Sequence, residues 1–336
     1  MNKKLAQRSS LFLSLLIILL IPFCYTLFPA PITQPEGIVY DLRPGMTRVA
    51  FVSTLADQGI IRYPWLFASY AYLHPFATLK TGEYHFPRGI TPYRIWYYVT
   101  RGTGYHYHAV TIVPGWSFAA LRQTLATTEG MTHLTTAMTT QEVMKELGHP
   151  ELKPEGEFFP ETYYYLRGES DLSILSRAYH LMQKHLQAVW LSRSASVPYQ
   201  DPYTLLIAAS LVEKEAHLDE ERPLIAGVVV NRLNKHMLLQ MDPTVIYSMG
   251  ERYTGSIHKK DLKEKNPYNT YVYKGLPPTP IAIPSLASLS AVANPHEHHY
   301  YYFVAKGDGS HVFSESLTAH HRAIKQTIQH KVRMIH

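Results

Sequence analysis

Two glutamates flank a lysine at Glu213-Lys214-Glu215, near the end of the run Tyr203-Thr-Leu-Leu-Ile-Ala-Ala-Ser-Leu-Val-Glu-Lys-Glu-Ala216. A carboxyl group placed in a dry site can give a proton to a leaving oxygen and later take one back. The run has helical composition, and Pro202 suits its first turn. At about 100° per residue, Leu205, Ala208, Leu211, Val212 and Glu215 fall within one arc of roughly 120°, with Glu215 near its middle. Glu213 falls about 160° away, beside Lys214 on the side expected to face outward. The two carboxylates therefore cannot share one site. A carboxyl rising from an apolar stripe is desolvated, which raises its pKa and lets it hold a proton near neutrality. The competing reading is a glutamate at a fraying helix end, paired with Arg222 or Lys214. Periodicity leaves both open, because buried ion pairs also perturb pKa values.

Other polar residues gather in three segments. In Leu239-Gln-Met-Asp-Pro-Thr-Val-Ile-Tyr247, Gln240 and Asp242 precede a Pro-initiated helix, and Asp242 has N-cap chemistry as its plainer alternative. Asn266-Pro-Tyr-Asn-Thr-Tyr271, followed by Gly275-Leu-Pro-Pro-Thr-Pro-Ile281, offers amides and flat rings to a sugar face, or is an ordinary proline-rich connection. Phe158-Phe-Pro-Glu-Thr-Tyr-Tyr-Tyr165 resembles it in composition and carries Glu161 as a second candidate acid. The histidines at 296, 298, 299, 320 and 321 lack the spacing of a ligand set, so no metal is expected. Gly-rich phosphate loops, the Gly-x-Ser-x-Gly turn and a basic run beside aromatics are also missing, so neither a cofactor nor nucleic acid is expected.

These segments need a scaffold, and 336 residues suggest about two domains. With 46% hydrophobic and 17% charged residues the chain can build cores, which excludes disorder as its main state. One cysteine excludes a disulfide framework. Lys3, Lys4 and Arg8 precede the apolar stretch Leu11–Phe28, just long enough to span a bilayer. A cleaved signal peptide is the rival, but Pro29 and Pro31 flank Ala30 and the small-x-small pattern is missing. The expectation is a cytoplasmic tail over residues 1–10, an uncleaved anchor over 11–28, and the rest exported. After the linker 29–36 the chain repeats itself. Pro44, Gly45, Thr47, Ala50, Leu55 and Ala56 align with Pro114, Gly115, Ser117, Ala120, Leu125 and Ala126 at one offset. Each copy reads as strand, turn, hydroxyl N-cap and helix. A third such unit runs over residues 82–99, and a helix is predicted over Gln141–Leu147 with Thr140 as its cap. Helices over 172–191, 203–216 and 223–233 and a hairpin over 300–313 follow. The expected class is α+β, with small α+β modules over 37–150 and a mixed α+β domain over 151–336.

Six ordered motifs then carry a resemblance: Val212-Glu-Lys-Glu215, Asn231-Arg-Leu233, Leu239-Gln-Met-Asp-Pro-Thr-Val245, Tyr268-Asn-Thr-Tyr271, Gly275-Leu-Pro-Pro278 and His311-Val-Phe313. Together they resemble the MltG (YceG-like) endolytic murein transglycosylase family, densely over residues 156–327 and more loosely before. The resemblance implies LysM-like modules and an inner-membrane, single-pass enzyme with a periplasmic catalytic domain. It implies cleavage within nascent peptidoglycan strands to 1,6-anhydro-N-acetylmuramic acid ends, beside the cell-wall synthesis machinery. It places the catalytic residue on Glu215, and leaves Gln240, Asp242, Tyr268, Asn269, Tyr271, Glu161 and His311 as candidates for holding the strand. Met241 and Thr279 depart from the family pattern, which usually has Thr or Ser before the Asp-Pro and a small residue after the Pro-Pro pair. The alternatives are a two-carboxylate hydrolase, pairing Glu215 with Glu161 or Asp242, and a non-catalytic wall-binding protein.

Overall fold

The computed structural model describes residues 16–17, 20–21 and 23–334, with side chains to residue 327. The expected anchor thus lies partly outside the described residues. Among the described residues, no helix is long and apolar enough to cross a membrane. The chain forms two compact units, residues 1–109 with 164–169, and residues 110–163 with 170–336.

In the first unit, strands β1 (Ile38–Leu42) and β2 (Gly82–Phe86) pair antiparallel, with Tyr40 opposite Tyr84. Between them lie helices α1 (Arg48–Asp57) and α2 (Pro64–Tyr72), and α3 (Pro92–Arg101) follows β2. Alternation along β1 sends Tyr40 and Leu42 inward and leaves Val39 and Asp41 outside. The inward set packs with Phe51, Phe67, Phe86, Ile95 and Trp96 into one aromatic core. Thr47 caps α1 by accepting the Ala50 amide at 3.2 Å, as the repeat predicts.

The second copy of the repeat belongs to the other unit. There α4 (Phe118–Thr127) is capped by Ser117, after strand β3 (His108–Thr111). The step between the two units falls at Ala109, within the stretch 37–150 expected to hold the small α+β modules. The reason is local. The Gly115 amide donates to the Ile283 carbonyl, the Ile283 amide donates to the Trp116 carbonyl, and the Phe118 amide donates to the buried Glu155 at 2.9 Å. Similar motifs thus serve different cores. A short helix, α5 (Thr140–Glu146), is capped by Thr139 in a capping box with Glu142, one residue before the predicted cap. Strand β4 (Thr162–Tyr165) pairs with β3.

The core of the second unit is helical: α6 (Asp171–Leu191), α7 (Pro202–Glu215), α8 (Arg222–Asn234) and α10 (Leu286–Ala293), with α9 (Asp242–Met249) beside α7. Asp201 and Thr204 form a capping box at the start of α7, and Pro202 takes its first turn. Residues 205–212 of α7 are all buried. This stretch is enclosed on every side, and Lys214 near the end of the helix is exposed. A hairpin of β5 (Tyr302–Ala305) and β6 (His311–Ser314) and a final helix α11 (Leu317–Met334) complete the unit.

Candidate active site

Glu215 ends α7 at the wall of a cleft of about 470 Å³. Gln240, Asp242, Tyr271 and His311 line the same cleft, together with Arg232, Tyr302, Phe303, His320 and His321. Loops and helices distant in sequence build it, and hydrogen bonds among the motifs fix them. The Gln240 amide donates to the Thr270 carbonyl at 3.1 Å, and the Met241 amide to the Thr270 hydroxyl at 3.0 Å. Thr244 meets that hydroxyl at 2.9 Å. These contacts hold Gln240 at φ 52, a left-handed backbone costly for a side chain of its kind.

Helix α8 contributes Arg232 to the lining. Gly227 lets the chain at His296 and His298 lie against the helix, where a Cβ would come within 2.5 Å of the His296 carbonyl. One turn on, Asn231 donates to the carbonyls of His298 and Tyr300. Arg232 donates to the carbonyls of Tyr301, Leu238 and Leu239, so its guanidinium ties the β5 strand to the Gln240 turn. Sequence reasoning named neither Arg232 nor Glu221 as a site residue. Glu221 takes the His311 ring at 2.7 Å and the His311 amide at 2.9 Å, which positions that histidine on the cleft.

The two glutamates of α7 separate as the helix geometry requires, but Glu213 does not face solvent. Its side chain is 6% exposed, 3.4 Å from Arg222, and accepts from the Ser285 amide, the Ser285 hydroxyl and the Ser288 hydroxyl. It ties α7 to α8 and α10. The reading of Glu213 as an outward residue is therefore corrected, because α7 is packed on that side too. The competing reading of Glu215 as an ion-paired residue also gives way. Arg222 pairs with Glu213 and Asp219, and Lys214 donates to the Gly115 carbonyl. No hydrogen-bond donor meets the Glu215 carboxyl among the described residues. Burial, and then the charge of Asp242, push its pKa up to about 8.

Asp242 does not cap its helix. Met241 occupies that position, and the Asp242 carboxylate takes the Tyr271 hydroxyl at 2.5 Å. Three of the sequence-picked residues lie elsewhere. Asn269 is fully buried and donates to the carbonyls of Asp261 and Glu264, closing its own loop. The Tyr268 hydroxyl meets Thr279 at 2.8 Å, and its ring packs on Tyr247. Glu161 is exposed and accepts from the Thr162 amide, away from the cleft lining. The two departures, Met241 and Thr279, are both buried.

The arrangement is a partly enclosed carboxyl that holds a proton at neutral pH, and a carboxylate neighbour tethered by a tyrosine, on one cleft. Among known proteins, the chain is 29% identical over 307 residues to an endolytic murein transglycosylase of Bacillus subtilis, covering 85% of this chain and 84% of that one. It is 25% identical to an endolytic murein transglycosylase of Streptococcus pneumoniae, covering 91% of this chain and 61% of the longer relative. Its fold is similar to the crystal structure of a putative yceG-like protein from Listeria monocytogenes, with a TM-score of 0.54 at 24% identity, over 86% of this chain and 99% of that one. The YceG-like family model matches residues 40–326, most of the chain, and the chain belongs to that family.

Proposed function

We propose that this chain is an endolytic murein transglycosylase that cuts peptidoglycan glycan strands, with Glu215 as its acid and base. The observation that carries the reading is the state of Glu215: a carboxyl at a cleft wall, without a hydrogen-bonding partner among the described residues, protonated up to about pH 8. Such a group gives its proton to the glycosidic oxygen as the bond breaks. Ionised, it then accepts the proton of the C6 hydroxyl of the same N-acetylmuramic acid, and the ring closes as a 1,6-anhydro sugar. That hydroxyl is tethered to the reacting carbon, so proximity replaces a second activating group. The Asp242 carboxylate, held by the Tyr271 hydroxyl, faces the positive character that develops at the anomeric carbon. Gln240 and His311 contact the strand from the other lining positions.

The N-terminal apolar run is a single-pass anchor with its basic end in the cytoplasm, which puts both units on the outer side of the bacterial inner membrane. There the LysM-like modules and the catalytic unit meet nascent strands beside the synthesis machinery.

A hydrolase is the second reading, and one observation favours it: Asp242 shares the cleft with Glu215. Two carboxyl groups flanking a glycosidic bond are the equipment of hydrolysis. Digestion of uncrosslinked glycan in ¹⁸O-labelled water separates the two. The transglycosylase yields muramic ends without label, one water lighter than hydrolysed ends and resistant to borohydride. Labelled, reducible muramic ends would establish hydrolysis, and intact strands would leave only wall binding.

A further inference from the structure

In the first unit, α1 and α2 leave an apolar groove open between them, and its rim is aromatic. The groove is about 490 Å³ and is lined mainly by Val49, Val52, Ala56, Trp65, Ala68 and Tyr72. Trp65 is 63% exposed and Tyr72 67%. The chain then turns through Leu73, His74 and Pro75 to Phe76, which is 96% exposed. A phenylalanine so bare, beside exposed tryptophan, tyrosine and leucine, is surface looking for an apolar partner.

What covers it follows from the other flank of α2. The last turn of the N-terminal apolar run lies there: the Tyr25 ring packs on Tyr63 at 5.6 Å, and its hydroxyl accepts the amides of Arg62 and Tyr63. Ile21, Cys24, Tyr25 and Phe28 line a second apolar groove with Arg62, Tyr63 and Leu66. One helix therefore joins the membrane-directed run on one side to the exposed aromatic rim on the other. Tryptophan and tyrosine sit well at the headgroup level of a bilayer, where one end of the ring is wet and the other dry. The exposed Arg62, at the start of the same helix, can meet lipid phosphate.

A glycan strand would suit this groove poorly. Sugars need free polar partners, and the polar side chains of Arg48, Ser53 and Asp57 in this groove are already engaged. Arg48 donates to the carbonyls of Pro75 and Ala77, and the Ser53 hydroxyl donates to Asp57 at 3.5 Å.

We infer that the α1–α2 face, with Trp65, Tyr72 and Phe76 at its edge, docks on the surface of the phospholipid bilayer that holds the anchor. The docking rests on the membrane anchoring proposed above, and the single cysteine lets the two be tested apart. Full-length chain is reconstituted in phosphatidylethanolamine–phosphatidylglycerol vesicles and labelled with an environment-sensitive dye, either at the natural Cys24 or at position 76 in the C24A/F76C variant. Position 76 is so exposed that the substitution leaves the fold intact, which circular dichroism verifies. Lipids carrying a spin label near the headgroup should quench the dye at 76 by at least about twofold, while aqueous iodide quenches it weakly. Deep spin labels should quench the dye at Cys24. Quenching at 24 with full iodide access and no lipid quenching at 76 overturns the docking and leaves the anchor. Lipid quenching at 76 without quenching at 24 supports the docking and overturns the anchor. A response at 76 to soluble glycan strands, with none to the spin-labelled lipids, overturns the docking in favour of a sugar site.

Discussion

Glu213 and Glu215 stand two residues apart on α7, and their surroundings are opposite. Glu213 is saturated: an arginine, two serine hydroxyls and a backbone amide converge on it from α8 and α10. Glu215 has burial without donors, and a like charge for company. A buried charge that is paired and hydrogen-bonded holds a structure together, whereas one left without partners must change its protonation state. The pair teaches that burial alone does not mark a catalytic acid. What marks it is burial next to a cleft with the stabilising partners withheld.

The sharpest way to break this contrast is to neutralise each residue. Glu215→Gln keeps the shape and removes the titrating proton, so glycan cleavage should fall by about 10²–10⁴-fold or more. Its thermal stability should not fall with it. The folded pKa of about 8 lies above the ordinary 4.5, so proton uptake favours the fold. That stabilisation is full below pH 4.5 and is lost as pH rises through 8. The parent should therefore lose stability across this window, as read by melting temperature, and the Gln variant should lack that loss. A Gln variant that cleaves at the parental rate would end the assignment.

Glu213→Ala should do the reverse. It leaves Arg222 without its buried carboxylate partner and should cost about 3–5 kcal/mol in chemical denaturation, the usual cost of breaking a buried pair. Cleavage per folded molecule should stay near that of the parent. Equal loss of activity from both variants, with folding intact, would erase the distinction between them.

A subtler prediction concerns the charge that raises Glu215. Asp242→Asn removes the like charge, so the Glu215 pKa should drop and the alkaline limb of the pH–rate profile should move to lower pH. An unmoved limb would show that burial alone sets the pKa. The smallest effect should come from Glu161→Gln. Glu161 lies on the surface outside the cleft lining, so turnover should match the parent. Strong loss there would revive a two-carboxylate pairing with Glu161.

Much of the scaffold could be read from local chemistry. The repeated strand, turn and hydroxyl cap occur at both places where the spacing predicts them, capped by Thr47 and Ser117. The helices around 171–191 and 202–215 and the closing hairpin are where periodicity sets them, because pattern and turn residues act over a few neighbours. The position of Glu215 at a helix end, on a face distinct from that of Glu213, is likewise a matter of 3.6 residues per turn.

Sequence alone could not tell which faces of α7 are covered. One-dimensional periodicity finds an apolar stripe, but a helix in the middle of a bundle is enclosed all round, and Glu213 turned from a surface residue into a buried tie. Nor could it separate motif residues that touch the cleft from those that build it. Asn269 and Tyr268 lie in the same loop as Tyr271, yet the first two staple backbone and packing while the third reaches Asp242. Glu221 carried no local signal, since its partner His311 lies 90 residues away, and the bond from Arg232 to Tyr301 spans 69. Helix formation, capping and turns are set by nearest neighbours along the chain and are therefore written in the sequence. The protonation state of Glu215 depends on which groups are near it in space, and only the tertiary structure decides that.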